Sequence, residues 1–306
     1  MDSQSNLTIQ EKIRIKMEFD RNPQMTLFAD KVAVKDFVAS KIGSKCLINT
    51  IGIFDSLQGL VRDDFPRNFV VKANHGSGAL VICWEGAHRG ATLPHDISNI
   101  FWEKYLIHPD DLNWEDLINL SNKWMTLNYS GPRGVLEWAY QDISPKILVE
   151  TVITESGVIP SDYKLFMIAG KCEFIQVDTS RYEEHRRNLF LPDWEKCEAT
   201  IVIPEYDGEL LPPVSLSQML ELSSIIAKDL DFIRIDWYNS DEGLKFGELT
   251  NYPGGGAEEI TPVTQSIKWA RNWKQKYCPE EFSGIALSNR HTFSFIFNNH
   301  GSGLKQ

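Results

Sequence analysis

Residues 232–256 read FIRIDWYNSDEGLKFGELTNYPGGG, and this stretch most limits what the chain can fold into. FIRIDWY alternates apolar and polar residues at the period of a β-strand, and LKFGELT resumes the strand pattern after the turn-forming cluster NSDEG. The pattern predicts an antiparallel hairpin with its loop at 239–243. In that register Arg234 lies opposite Glu248, and Asp236 lies diagonal to Glu248 at roughly 7–8 Å.

Charged side chains on this hairpin indicate a chemical site. Arg234 and Asp236 share one face of the first strand, and Glu248 and Thr250 share one face of the second. A cross-strand ion pair on a solvated face is one interpretation. The strands are otherwise apolar, however, and charged groups among apolar side chains are costly unless they are paired or bind a metal. Two carboxylates, an arginine and the glycine-rich segment PGGG therefore favour a Mg²⁺–nucleotide site.

Composition excludes several classes of protein. The chain has 306 residues, enough for one large domain or two to three subdomains, and its net charge of −11 argues against nucleic acid as the main partner. Its five cysteines are widely spaced without a CxxC motif, which predicts reduced thiols in a cytosolic protein. The first residues lack the apolar core of a signal peptide, and no apolar run is long enough to span a membrane. We therefore expect a cytoplasmic protein.

A second informative stretch is NFVVKANHGSGALVICW, residues 68–84. It predicts a strand that ends at Lys72, a flexible NHGSG loop and a returning strand. The lysine would supply positive charge to a phosphate group, and the backbone N–H groups that would surround the phosphate oxygens belong to Gly76, Ser77 and Gly78. An ordinary flexible hairpin is the alternative. The loop is neither GxxxxGK[ST] nor GxGxxG.

Other periodic stretches supply the scaffold. Apolar residues at helical spacing predict two helices within 7–40, the second beginning at Asp30 and ending at Gly43. Further patterns predict a strand at 46–54, helices over 96–141, a strand at 146–153, a hairpin at 162–181, and helices at 216–232 and 262–277.

Positive charge collects after the hairpin at 162–181. The segment SRYEEHRRN brings Arg181, His185 and Arg187 close together in an otherwise acidic chain. An anion site is one interpretation and a solvated basic patch is the other. Lys164 lies within an apolar strand of the same hairpin, which is unusual for a lysine without a partner.

Taken in order, the motifs FVVKANHGSG, ILVE, DYKLF-x₃-GK, FIQVDTSRYEEHRRN, FIRIDWY and FGELTNYPGGG resemble the ATP-grasp superfamily. Within it they are similar to the TupA-like group, which is linked to cell-surface polysaccharide synthesis. The resemblance implies an α+β protein with two α+β lobes that enclose Mg-ATP and a small N-terminal α/β region. It predicts an N-terminal region at 1–65, a nucleotide-binding lobe at 66–150, a catalytic and metal-binding lobe at 151–278 and a tail at 279–306.

The resemblance also implies roles for individual residues. The predicted nucleotide site comprises Lys72 and Lys146 on the phosphates, the loop residues His75, Gly76, Ser77 and Gly78, Glu150 with the backbone of Thr151 and Val152 on adenine, and Lys164 on the phosphates or ribose. Arg234 would contact the transferring phosphoryl group, and Asp236 and Glu248 would bind Mg²⁺. The third metal ligand is either Thr250 or Asn251, and Asn251 would need a β-bulge to reach the metal.

The implied activity is ATP-dependent ligation of a carboxylate to an amine through an acyl phosphate. The expected acceptor is a hexuronic acid on a sugar nucleotide or a growing glycan, and the expected donor is an amino acid or a small amine. Arg181, His185 and Arg187 would hold the acceptor carboxylate. A sugar kinase, a glycan- or nucleotide-binding protein without catalysis, and a sugar transferase that needs no ATP are the alternatives.

Overall fold

The computed structural model describes residues 6–130, 137–182 and 184–277. The predicted tail at 279–306 lies outside these residues. Among the described residues, no helix combines the length and the apolar composition that crossing a membrane requires.

Three helices form the N-terminal region: α1 (Ile9–Phe19), α2 (Gln24–Ala29) and α3 (Ala33–Ile42). A capping box starts α1, because the Thr8 hydroxyl accepts from the Glu11 N–H while the Glu11 carboxylate accepts from the Thr8 N–H. Before α3, the Asp30 carboxylate accepts hydrogen bonds from the N–H groups of residues 32 and 33. Gly43 ends α3 with a φ of +79°, which glycine adopts without strain. The predicted end of this helix is therefore confirmed, whereas its N-cap is Val32 and not the predicted Asp30.

The first sheet contains five short strands: β1 (Thr50–Phe54), β2 (Phe69–Ala73), β3 (Leu80–Cys83), β4 (Lys104–Ile107) and β5 (Ile147–Glu150). Their order is β1-β5-β2-β3-β4, with β3 and β4 parallel and the other neighbours antiparallel. The helix α4 (Trp114–Met125) buries Leu117, Leu120 and Trp124 in the same core as the inner residues of β2 and β3. The strand β1 pairs within this sheet although it lies in the predicted N-terminal region, and the domain boundaries stay a prediction.

The prediction of helices over 96–141 is wrong at β4. Only α4 and two 3₁₀ turns, Pro109–Asp111 and Trp138–Tyr140, are helical among the described residues of that range. Lys104 pairs with Leu80 in β4, where the strand extends the sheet beyond β3. Trp and Leu residues on either side of β4 produce helical spacing in the sequence, although tertiary pairing decides the local structure.

The remaining strands are β6 (Asp162–Ile168), β7 (Lys171–Thr179), β8 (Arg186–Phe190), β9 (Thr200–Ile201), β10 (Phe232–Tyr238), β11 (Lys245–Thr250) and β12 (Ile260–Thr261). The second sheet has the antiparallel order β11-β10-β6-β7-β8, and β9 pairs with β12. Two helices complete the fold, α5 (Leu216–Ala227) and α6 (Val263–Ala270). The α+β class predicted from the sequence is confirmed.

The two faces of the second sheet differ in chemistry. One face, with Leu165, Ile233 and Trp237, packs against α5 in one hydrophobic cluster. On the opposite face, Phe166 and Phe232 pack with residues of α1 and α6. Successive strand residues alternate between faces, so the charged residues of β6, β7 and β10 extend this second face beyond its aromatic part. The apolar part anchors the sheet, and the charged part is the candidate site.

The predicted register of the β10–β11 hairpin is wrong by one position next to the loop, where Tyr238 pairs with Lys245, and by two positions beyond a bulge. Asp236 lies opposite Glu248 and Arg234 opposite Thr250, while Trp237 pairs with Phe246. The register shifts between Asp236 and Trp237, which leaves one extra residue, Gly247, on β11. A Cβ on Gly247 would lie 3.1 Å from the Asp236 carbonyl oxygen, so the bulge favours glycine. The bulge brings the two carboxylate residues directly opposite each other.

Candidate active site

A cleft is lined by residues from three parts of the chain. The N-terminal region contributes Lys31 and Lys35. The first sheet and its loops contribute Lys72, residues 77–80, Lys104, Leu148 and Glu150. The second sheet and its loops contribute Arg181, Tyr182, Tyr238 and residues 246–248. Five of these side chains are cationic and two, Glu150 and Glu248, are acidic. The cleft is therefore locally positive in a chain of net negative charge, which favours an anionic ligand.

The glycine-rich loop after β2 forms one wall of the cleft. Ser77 and Gly78 line the cleft. A Cβ on Gly76 would lie 2.5 Å from the Trp102 ring, and one on Gly78 would lie 2.8 Å from the Trp102 carbonyl oxygen. Both positions therefore require glycine because Trp102 packs directly against the loop.

His75 faces away from the cleft. Its side chain is buried, with Nε2 3.3 Å from the Leu127 carbonyl oxygen and the ring edge-on to Trp102. Burial lowers the pKa of His75. In this structure His75 anchors the loop, and a contact with nucleotide through its side chain stays a prediction.

Glu150 sits between two lysines at the end of β5. Its Oε2 lies 2.7 Å from Lys72 Nζ, and its Oε1 forms an ion pair with Lys35. Lys35 also donates to the carbonyl oxygen of Ile48. Burial opposes ionisation of Glu150, but the charges of Lys72 and Lys35 lower its pKa on balance. The structure thus brings the predicted residues Lys72 and Glu150 together and adds Lys35, which no sequence motif marks.

The other residues predicted to bind nucleotide from this region have partners of their own. Lys146 Nζ lies 2.5 Å from Asp55 Oδ1, and Lys146 is not among the residues that line the cleft. The Thr151 N–H donates to the Asn49 carbonyl oxygen at 3.0 Å. Val152 follows in an irregular segment. Their adenine and phosphate contacts stay predictions.

An ion-pair network lies at the centre of the second sheet. Arg234 holds Asp236 with two hydrogen bonds of 2.7 Å, from Nε to Oδ1 and from Nη2 to Oδ2. The same Nη2 donates to Glu248 Oε1 at 2.9 Å. From β6, Lys164 Nζ donates to Asp236 Oδ2 at 2.8 Å and to Asp162 Oδ1 at 3.1 Å. The unusual lysine in an apolar strand therefore has two carboxylate partners.

Of the opposed carboxylates Asp236 and Glu248, only Glu248 lines the cleft. Its side chain is 35% exposed, whereas that of Asp236 is 1% exposed. Burial opposes ionisation, but the charges of Lys31, Arg234 and Lys164 lower the pKa of Glu248 to about 2. The carboxylate is therefore ionised at neutral pH. Within the part of the chain that the structure describes, its Oε2 accepts no hydrogen bond.

The two candidates for a third metal ligand point in different directions. Thr250 Oγ1 lies 3.3 Å from Glu248 Oε1, on the face of the carboxylates. Asn251 is buried, and its Nδ2 donates to the Met25 carbonyl oxygen of α2. The bulge at Gly247 lies before Glu248, so it does not turn Asn251 toward the site.

The basic run divides between two carboxylates. Arg181 lines the cleft, with Nη1 2.5 Å from Asp162 Oδ1. Arg187 is buried and binds Asp178 through Nε at 2.7 Å and Nη2 at 3.3 Å. His185 Nε2 lies 3.4 Å from Asp178 Oδ1. The structure does not bring the three predicted cations to one open anion site.

Besides Lys35, two further cleft lysines were not selected from the sequence. Lys31 and Lys104 form no ion pair with a carboxylate within residues 6–130, 137–182 and 184–277. Desolvation by the surrounding cleft, followed by the charges of Arg181 and Lys164, lowers the pKa of Lys104 to about 8, although the residue as a whole is exposed. Lys104 lies in the strand mistaken for helix, and Lys31 follows the Asp30 helix start, where lysine carries no functional signal.

The family model for TupA-like ATPgrasp proteins matches residues 11–266. The chain belongs to the TupA-like ATP-grasp family. The match includes every residue predicted for the site and excludes only the ends of the chain. The resemblance found in the sequence is therefore confirmed.

Solved structures similar to this TupA-like protein are ATP-grasp ligases of low sequence identity. D-alanine–D-alanine ligase from Bacillus anthracis, complexed with ATP, is 14% identical with a TM-score of 0.40, and the match covers 80% of this chain and 62% of that one. D-alanine–D-alanine ligase from Helicobacter pylori is 13% identical with a TM-score of 0.41, and the match covers 83% of this chain and 60% of that one. L-amino acid ligase from Bacillus licheniformis is 12% identical with a TM-score of 0.39, and the match covers 74% of this chain and 43% of that one. No curated protein matches the chain.

ATP-grasp enzymes use ATP and Mg²⁺, and the cleft of this TupA-like protein fits both. Its excess of lysine and arginine suits a polyphosphate. No group of three His, Cys, Asp or Glu side chains suited to a metal occurs among the described residues. Mg²⁺ typically binds proteins through one or two carboxylates together with substrate phosphates, and the opposed residues Asp236 and Glu248 supply that number.

Proposed function

We propose that this protein is an ATP-dependent ligase that joins a carboxylate to an amine through an acyl phosphate. The observation that carries the proposal is the cleft itself, where the ionised Glu248 shares the lining with lysines of the first sheet and the N-terminal region. Such a cleft can hold a polyphosphate at its lysines and a hard cation at its carboxylate. The family membership supports the same assignment.

The residues of the cleft divide the work of binding. Lys72, whose ammonium is held by Glu150, would bind the nucleotide phosphates beside Ser77 and Gly78. Arg234 is fixed by two bonds to Asp236, so its remaining donors have a defined direction toward the phosphoryl group. Asp236 and Glu248 would hold Mg²⁺, which neutralises phosphate charge when bound.

Two steps account for the products. An oxygen of the substrate carboxylate forms a bond to the γ-phosphorus, and the bond to the β,γ-bridging oxygen breaks with its electron pair on ADP. The amine nitrogen then forms a bond to the acyl carbon, the carbon–oxygen bond to the phosphoryl group breaks, and inorganic phosphate leaves. The amine loses one proton to phosphate or solvent. Cations fixed before the reaction stabilise the charge on the transferring group without reorganisation.

We propose that the acid is a hexuronic acid of a sugar nucleotide or growing glycan and that the amine is an amino acid or small amine. The partner in the cleft for the acid is Arg181, because Arg187 is already neutralised by Asp178 and Glu258. This assignment gives the protein a place in capsule or cell-surface polysaccharide synthesis. Consumption of ATP agrees with a cytoplasmic location.

A coupled assay of ADP release with uronic acids plus amines tests the function. We expect ADP, phosphate and amide in equal amounts, and a hydroxamate when hydroxylamine replaces the amine. Glu248→Gln is the control that removes the cleft carboxylate. A stable phosphorylated sugar would instead identify a kinase, turnover without ATP would identify a sugar transferase, and absence of turnover with every acid would favour a binding protein.

A further inference from the structure

Lys31 reaches the cleft from outside both sheets. It lies between α2 and α3, in the N-terminal region, and yet it lines the same cleft as Ser77 and Glu248. We propose that Lys31 binds the γ-phosphoryl group during its transfer, so that the N-terminal region supplies part of the catalytic cleft. This inference rests on the proposed ligase function and adds a catalytic residue to it.

The backbone around Lys31 is fixed to the glycine-rich loop. The Lys31 N–H donates to the Asn74 carbonyl oxygen at 3.2 Å. Asn74 Nδ2 donates in turn to Asp30 Oδ1 at 3.0 Å and to the Ser144 carbonyl oxygen at 3.1 Å. Asn74 thereby connects the start of α3, the end of β2 and the chain before β5. Lys31 cannot shift without the loop, which is the arrangement that a preorganised binding group requires.

The side chain of Lys31 follows the same loop. Its Nζ donates to the carbonyl oxygen of Gly76. An ammonium group has three N–H donors, and this contact uses one of them. Lys35 and Lys72, by contrast, share the carboxylate of Glu150. Among the lysines of the cleft that the structure describes, Lys31 therefore combines a fixed position with donors that remain for a ligand.

Lys31 lies in the cleft beside the residues proposed to bind phosphate and metal. Its Nζ is held at Gly76 of the loop, and Lys72, Ser77 and Glu248 line the same cleft. The charges of Glu248, Lys72 and Glu150 all act on Lys31, which agrees with this placement. A group that shares the cleft with the loop, Lys72 and Glu248 faces the region through which a phosphoryl group would pass.

Nucleotide titrations test this role without relying on ligase activity. Isothermal titration calorimetry would compare Mg-ADP with the Mg complex of a non-hydrolysable ATP analogue for wild type, Lys31→Gln and Lys31→Arg. We expect Lys31→Gln to lower the affinity for the ATP analogue about 10- to 100-fold, as loss of a hydrogen bond to a charged group does. The affinity for Mg-ADP should change less than about 2-fold. Lys31→Arg retains the charge and should recover most of the affinity.

Lys45→Gln is the matched control, because it removes the same charge from an exposed position nearby. If Lys31→Gln does not fold, Lys31→Met retains the aliphatic stem and decides through the same titrations. An equal loss for both nucleotides, or no loss for either, would overturn the role of Lys31. The two proposals can also fail separately. If Lys31→Gln weakens only the ATP analogue but the wild-type protein forms no amide, the ligase function is wrong and the role of Lys31 in binding the γ-phosphate stands.

Discussion

Two groups of charged residues lie side by side in this protein and differ in how they are paired. The sheet network on the polar face of the second sheet consists of Asp162, Lys164, Asp178, Arg187, Arg234 and Asp236. Its side chains are at most 11% exposed, and each cation has a carboxylate partner. Lys31 and Lys104 of the cleft have no such partner among the described residues.

The difference separates positioning from binding. A buried charge must be paired, and removing one partner leaves the other uncompensated, so a ligand of the sheet network must share a group that already has partners, as Mg²⁺ would at Asp236. It holds Arg234 and the neighbouring Glu248 in one geometry. The cleft lysines carry charge that the fold leaves unbalanced, and an anionic ligand supplies the missing partner. Substitutions in the two groups should therefore affect different quantities.

The largest expected effect follows Asp236→Asn. Arg234 and Lys164 would both keep a buried charge without this carboxylate, so the free energy of unfolding should fall by about 3–5 kcal/mol. Urea unfolding followed by circular dichroism measures the change. Turnover should fall as well, since Asp236 is a proposed metal ligand.

Glu248→Gln is the matched comparison. Its side chain is partly exposed, so the loss of stability should be clearly smaller, while ATP turnover falls about 10²- to 10⁴-fold. Equal stability losses in the two variants would show that the sheet network and the cleft carboxylate do not differ as the pairing indicates. Near-normal turnover in both folded variants would remove the metal site.

The next effect compares Arg187→Ala with Arg181→Ala. Arg187→Ala leaves Asp178 buried with weaker partners, so we expect a loss of about 2–3 kcal/mol in stability and little change in the KM of the acceptor. Arg181→Ala should raise the acceptor KM about 10-fold or more, because Arg181 faces the cleft. Steady-state kinetics with ATP and acceptor varied separately distinguish the two.

A higher acceptor KM for Arg187→Ala at unchanged stability would return Arg187 to the acceptor site. A fall in kcat that is equal for all acceptors in Arg181→Ala would instead assign Arg181 to the transferring phosphoryl group.

Local patterns predicted much of this fold. Period-two alternation located β10 and β11, and the glycine loop located the β2–β3 hairpin, because these signals come from neighbouring residues. The bulge at Gly247 was not visible, since one extra residue changes pairing without changing the alternation around it. At Asp236 the predicted and actual registers therefore disagree by two positions, and both place Asp236 and Glu248 on one face.

The site was predictable where chemistry and strand pattern coincide. Asp236, Glu248 and Arg234 are charged residues inside apolar strands, and Lys164 shares that property. Lys31 and Lys104 could not be predicted in this way, because their place in the cleft depends on how α3 and β4 pack beside the glycine-rich loop. The partition of the basic run between Asp162 and Asp178 is also nonlocal, since it depends on the direct pairing of Asp162 in β6 with Asp178 in β7.

The smallest expected effect concerns the charge of Lys104. Lys104 is exposed as a residue, but desolvation by the cleft and the charges of Arg181 and Lys164 lower its pKa to about 8, while Asp162 and Glu248 oppose the shift. Below that pH Lys104 is protonated and attracts the nucleotide, and above it the charge is lost. Burial and the charge of Glu248 raise the pKa of Glu137 to about 8, so Glu137 becomes negative over the same range and acts in the same direction.

The affinity for Mg-ADP should therefore fall about 5-fold between pH 7 and pH 9, as loss of roughly 1 kcal/mol of charge interaction implies. Calorimetry across this range measures the fall in wild type and in Lys104→Gln, with Lys45→Gln as the control that keeps the wild-type slope. Lys104→Gln should bind more weakly at pH 7 and retain only the part of the slope that Glu137 contributes. An unchanged slope in Lys104→Gln would assign the whole pH dependence to Glu137 and would leave Lys31 as the cleft lysine that attracts the nucleotide.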